Sequence, residues 1–172
     1  MYLDMYEAAV DVGVELVATY GLAALLAVFI LEGALVGKLI PTRTLFVATV
    51  LLIGSDAFSL ASVAAVAVIG ATLGQLVLFG MVRRTDITVE SLPGVSVPSE
   101  ADRLTGWLDR WGMAAVVLSN ALPVTRGSLT APAAMSDGNA LRFMTSSLVG
   151  SSVYASGLVA VAAGMDTIIG IV

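Results

Sequence analysis

The sequence predicts an all-α polytopic membrane protein, built as an inverted repeat of two opposed re-entrant helical hairpins plus full spanning helices. Three observations lead there. The 172 residues are 58% hydrophobic and only 12% charged, with a mean hydropathy of +0.98, whereas soluble domains carry about a quarter charged residues. Two charge-free runs, Ala57 to Val82 and Phe143 to Met165, reach the about 20 apolar residues that a crossing helix needs. The other apolar runs are shorter and interrupted, and two of the interruptions are proline tips carrying an arginine, "LIPTRT" and "ALPVTRG".

Each segment follows from its own pattern. Asp4, Glu7, Asp11 and Glu15 recur at helical spacing, with Val10, Val14 and Leu16 on other faces. This reads as an amphipathic helix at the interface, although a first spanning helix with an acidic entrance fits the same residues. The N-terminus lacks the basic leader of a secretory signal, so no cleavage is expected. The run Leu16 to Leu31 ends in Glu32 and leads to a tip at Pro41, and Thr44 to Ser55 returns. Trp111 to Thr125 and Gly127 to Ser136 form the second such pair around Pro123. Proline removes a backbone donor and disfavours helix in the residue before it, so both tips should be broken helices. In the spans, Gly70 and Gly74 make a GxxxG, and Gly150, Gly157 and Gly164 recur every seven residues, small faces that permit close packing. Between the halves, Pro93 and Pro98 mark a polar loop, and Ser99 to Trp111 reads as a second short amphipathic helix.

The halves echo each other. "YGLAALLAVFILEG" precedes the first tip and "WGMAAVVLSNALP" the second, each opening on an aromatic residue and a glycine. The chain is therefore read as one membrane domain, with residues 1–82 as the first half, 83–111 as a polar connection and 112–172 as the second half. A re-entrant hairpin returns to the side it left, so one span per half makes the second hairpin enter from the opposite side. The tips, with Arg43 and Arg126, then meet near the bilayer midplane, where transporters with inverted repeats bind substrate. Arg83, Arg84, Arg103, Arg110 and Arg142 gather on one side, which the positive-inside bias places in the cytoplasm of a multi-pass plasma-membrane protein.

Two absences restrict the chemistry. Without cysteine or histidine there are no thiolate or imidazole metal ligands and no thiol nucleophile, and no imidazole base. No cofactor, metal or nucleic acid is expected, and an enzyme is the least favoured class because no nucleophile stands in an acid cluster. Net charge is −5, with one lysine against seven arginines, a composition that suits a salt-rich milieu. An arginine at the bilayer centre costs about 2.5–3.5 kcal/mol even on insertion scales, so Arg126 needs a partner. Glu32 is the obvious one, either as a structural counter-ion or as a group that couples to H+ or Na+. Lys38, Arg43 and Arg126 outnumber Glu32 three to one, and the excess favours an anion. Phosphate matches the planar fork of arginine best. The half-helix N-termini beyond each tip would add donors, and Thr42, Thr44, Thr125 and Ser128 offer hydroxyls.

At these residues the chain resembles the DedA family, also called the VTT-domain or SNARE-associated Golgi protein family, over about Tyr20 to Met165. Glu32 matches the family's first acid; "GATLGQ" (Gly70 to Gln75), "NALPVTR" (Asn120 to Arg126) and "PAAMSDGNALRF" (Pro132 to Phe143) are similar to its later motifs. Three positions depart from the pattern: Asn120 stands where an arginine is usual, Arg43 where the tip has an acid, and Gln75 where an aspartate is common. The resemblance implies the same opposed hairpins and the movement of lipid headgroups across membranes.

The expected function is a lipid translocase for a polyprenyl (dolichyl-type) phosphate or a phospholipid headgroup, with H+ or Na+ coupling left open. Arg126 and Arg43 would bind the phosphate with Lys38 nearby, Asn120 and Thr125 would donate hydrogen bonds, and Glu32 would carry the coupling ion. An ion-coupled small-molecule antiporter and a non-transporting membrane-organising protein are the alternatives. A homo-oligomer is compatible with all three.

Overall fold

The computed structural model describes residues 2–34, 41–53, 56–85, 98–136 and 138–169. Among the described residues there are eight helices and no strand. They are α1 (Tyr2–Tyr20), α2 (Leu22–Gly33), α3 (Thr42–Ile53), α4 (Ala57–Arg84), α5 (Pro98–Trp111), α6 (Met113–Ala121), α7 (Thr130–Met135) and α8 (Ala140–Ile169). Two of them, α4 and α8, are long and apolar enough to cross a membrane. The expected spans therefore appear as helices. Lys38 and the rest of the first tip up to Ile40, as well as Pro93, lie outside the described residues.

The aromatic–glycine pairs are chain breaks. Gly21 adopts φ 60° and ψ −139°, and Gly112 adopts φ 54° and ψ −137°, a region that a Cβ makes costly. Each glycine N–H closes the preceding helix on a buried apolar residue four positions back, Val17 at 2.8 Å and Leu108 at 2.7 Å. The expected continuous run Leu16 to Leu31 is thus cut at Gly21, because its backbone leaves helical space there. Beyond each break the same register is buried: Ala24, Leu25, Val28 and Phe29 in α2, and Ala115, Val116, Ser119 and Asn120 in α6. The second set carries polar residues where the first is wholly apolar.

Helices α4 and α8 run antiparallel. Phe79 stacks on Phe143 at 4.6 Å near one end, whereas Ala162 joins Val63 and Ala67 near the other. Two apolar cores result. One combines α1, α2 and α3 with the N-terminal part of α4 and closes on Ala162. The other combines α5, α6 and α7 with the start of α8 and closes on Leu78, Phe79 and Val82 of α4. Between them lies a buried polar layer that includes Thr72, Gln75, Asn120, Ser147 and Ser151. On the outside, Ile69, Leu73, Val77 and Met81 repeat every fourth residue as an exposed apolar stripe along α4.

The helix ends follow local chemistry. Asp56 caps α4 by accepting from Phe58 N and Ser59 N, and these bonds, with that from the Ser59 hydroxyl, hold its carboxyl below the usual range. In α1, Glu7, Asp11 and Glu15 are exposed while Gly13 and Val17 turn inward, which fits the expected amphipathic pattern. Helix α5 buries Leu104 and Leu108 and exposes Arg103, Asp109 and Arg110. Helix α7 has only six residues, too few to act as the half-helix dipole expected beyond the second tip.

Glycine does different work at different positions. A Cβ on Gly74 would strike Ile30 O and Ala34 N of the α2 backbone, so α2 and α4 cross there at a distance only hydrogen allows. Gly150 is pressed on Val117 O in the same way. Gly157 and Gly164 have nothing within 4 Å, so the seven-residue recurrence is used for packing only at its first member. Gly74→Ala should therefore destabilise the detergent-purified protein by about 1–3 kcal/mol, the cost of overpacking, read as a lower melting temperature. Gly157→Ala should leave it unchanged or raise it, since alanine favours helix.

Candidate functional site

The polar layer is where the two proline tips converge. The second tip, residues 122–129, leaves α6 at Ala121 and is tied back to that helix. Thr125 Oγ1 donates to Ser119 O at 3.2 Å, and the Ser119 and Ser128 hydroxyls both donate to Thr125 O. Gly127 N donates to Asn120 Oδ1 at 3.0 Å. These bonds aim Arg126 inward while Leu122, Pro123 and Val124 stay outside. Val124 is 93% exposed, and the Arg126 side chain, two residues later, is only 7% exposed.

Arg126 sits between an acid and an aromatic ring. Its Nε lies 3.4 Å from Glu32 Oε1 at the end of α2, whose side chain is 19% exposed. Its guanidinium lies over the Tyr154 ring of α8, 4.0 Å from the centroid. The Thr42 hydroxyl, at the start of α3, is directed at the Glu32 carboxylate. The pair is incomplete at both ends: Arg126 Nη1 and Glu32 Oε2 are buried and have no hydrogen-bond partner. A buried ion pair offsets its desolvation only when its remaining donors and acceptors are also met, so the open Nη1 and Oε2 leave this pair with part of its desolvation uncompensated.

Arg43 closes the exposed side. From the first turn of α3 its Nε donates to the Tyr154 hydroxyl at 3.1 Å and its Nη2 to Pro123 O at 2.8 Å. A residue beside the first proline thus touches the second proline, with Pro41 and Thr42 buried behind it. The sequence brought Arg43, Arg126 and Glu32 into consideration, and the structure places all three together. Tyr154 was missed. Its signal was present: it is the single tyrosine after residue 20 and lies within the charge-free final run.

Asn120 and Thr125 stand differently from the expectation. Asn120 is 1% exposed and its amide is paired with that of Gln75 through two bonds of 2.9 Å, one in each direction. Gln75 Oε1 also accepts from Ser147. With Oδ1 shared between Gln75 and Gly127, Asn120 holds the tip to α4 and is not positioned as a headgroup donor. Thr125 likewise spends its hydroxyl inside the tip. Among the described residues no cluster of three metal-ligating side chains occurs.

No family model matches the chain, and neither the curated proteins nor the solved structures contain a significant match. The geometry therefore carries the functional reading.

The Gln75–Asn120 pair generates a direct test. Gln75→Leu or Asn120→Leu alone leaves a buried amide unpaired, which costs about 1–3 kcal/mol. Together they should cost clearly less than the sum of the two, as a double-mutant cycle of thermal denaturation in detergent will measure. Additive losses would mean that the two amides do not act on each other.

Proposed function

We propose that this protein is a membrane lipid translocase that moves a phosphate-bearing headgroup, of the polyprenyl (dolichyl-type) phosphate kind, across the bilayer. The observation that carries the reading is the buried Arg126 with a free Nη1, beside a second arginine from the other tip. An arginine in this position has a strong demand for an anion, and an oxyanion answers it with charge and geometry together. Glu32 is then the ion that gives way: an incoming phosphate competes with its carboxylate for Arg126, and the released carboxylate is free to take up a cation.

In this reading the halves form an inverted repeat, and the tips are re-entrant. The like conformations at Gly21 and Gly112, the like burial of α2 and α6 and the antiparallel α4 and α8 all support it. Tyr154 lies about 21 Å along α8 from Ala140 at 1.5 Å per residue, near the middle of the helix, which supports a site at the depth where such transporters hold substrate. The exposed apolar Leu122 and Val124 would let a lipid tail stay in hydrocarbon while its headgroup enters. Exposed Arg83, Arg103 and Arg142 fit a cytoplasmic face in the plasma membrane.

The departures from the DedA pattern also fit together. Gln75 and Asn120, where an aspartate and an arginine are usual, are bonded to each other, so a neutral pair stands in for a charged one. Arg43, in place of an acid, restores a positive charge to the site.

In proteoliposomes loaded with a polyprenyl phosphate, Arg126→Ala should abolish transbilayer movement while the protein still inserts and folds. Movement at the wild-type rate would remove Arg126 from the mechanism. Gln75→Asp alone should buckle the polar layer by burying an unpaired charge and lower the yield of folded protein. Adding Asn120→Arg should recover it, and no recovery would sink the exchange of a neutral for a charged pair.

A further inference from the structure

We infer that Tyr154 is the positioning residue of the site, gathering an arginine from each tip into one anion receptor, its ring holding Arg126 and its hydroxyl holding Arg43. The inference rests on the phosphate-binding reading above and names the residue that makes it geometrically feasible. Two guanidiniums that both touch Tyr154 repel each other and do not converge unaided. Glu32 compensates Arg126 but is bound to Arg126 through one oxygen only. The Tyr154 ring supplies the rest, because the negative face of an aromatic ring attracts a cation and does so more strongly when both are desolvated. Tyr154 is itself buried.

The contacts also set orientation. With Cζ over the ring at 4.0 Å and Nε turned to Glu32, the Arg126 head is held from two sides, which restricts where the unpartnered Nη1 can point. Arg43 offers Nε to the Tyr154 hydroxyl and Nη2 to Pro123 O, which fixes its plane from two points, both in the second half of the chain. Receptors with preset planes bind an oxyanion without the entropic cost of first ordering long side chains. The ring and the hydroxyl are separable: phenylalanine keeps the first and loses the second.

The purified full chain is titrated in detergent with a polyprenyl monophosphate and, separately, with inorganic phosphate. Tyr154→Phe should weaken binding about tenfold with its melting temperature unchanged, and this loss should vanish in an Arg43→Gln background. Tyr154→Leu should bind as weakly as Arg126→Ala. Wild-type affinity in Tyr154→Phe, or the same loss with and without Arg43, overturns the positioning role and leaves the lipid reading standing. Binding of inorganic phosphate that depends on Tyr154, without lipid movement, keeps the receptor and overturns the translocase. No binding of either probe by the wild type overturns both.

Discussion

An arginine that is almost fully enclosed by a helical bundle sets the terms for everything around it. Arg126 cannot shed its charge, so the chain has to bring it an acid, a ring and a way in. Glu32 comes from α2, Tyr154 from α8, and the tip that carries Arg126 is braced by hydroxyls and by Asn120. Removing any one of these leaves charge or backbone polarity without compensation in an apolar surrounding. The polar layer is accordingly continuous: Gln75 links α4 to α6 through Asn120 and to α8 through Ser147.

The two apolar cores explain how such a layer is tolerated. Each core closes on the far end of the other half's long helix, through Ala162 on one side and Leu78 to Val82 on the other. Burial is supplied at both ends and the middle is left for polar groups. Close backbone approach at Gly74 and Gly150 draws α2 onto α4 and α6 onto α8 beside that middle. The two halves meet through polar contacts, through α7 on α4 and α3 on α8, and along the α4–α8 seam. In the proposed bilayer placement, such a seam is where one half would rock against the other.

In the proposed function, the open atoms that matter are those that carry charge. Nη1 of Arg126 and Oε2 of Glu32 face burial without partners while the neighbouring amides and hydroxyls of the tip are paired. The buried hydroxyls of Thr72, Thr130 and Ser151 also lack partners, so open valences run through the polar layer and carry charge at Arg126 and Glu32. Arg43 is on the exposed side and bonded to a carbonyl and a phenol.

Much of the architecture was legible along the chain because it depends on local properties. Helix length, the break at a proline, and the acidic face of α1 are each read from a few adjacent residues, and the two long apolar helices and the break after α6 at Pro123 follow from them. The aromatic–glycine pairs were legible as a repeat but not as breaks, since a lone glycine within a helical pattern is compatible with continuing it. Charge complementarity made the Glu32–Arg126 pairing legible, but which uncharged faces meet was not. Glycines seven apart read alike, yet Gly150 is packed and Gly157 is open; Asn120 read as a ligand, yet its partner is 45 positions earlier in the chain; Tyr154 read as one more span residue. Burial, pairing and the choice of partner are properties of helices brought together, and only the tertiary structure decides them, because side chains from distant segments compete for the same few polar contacts.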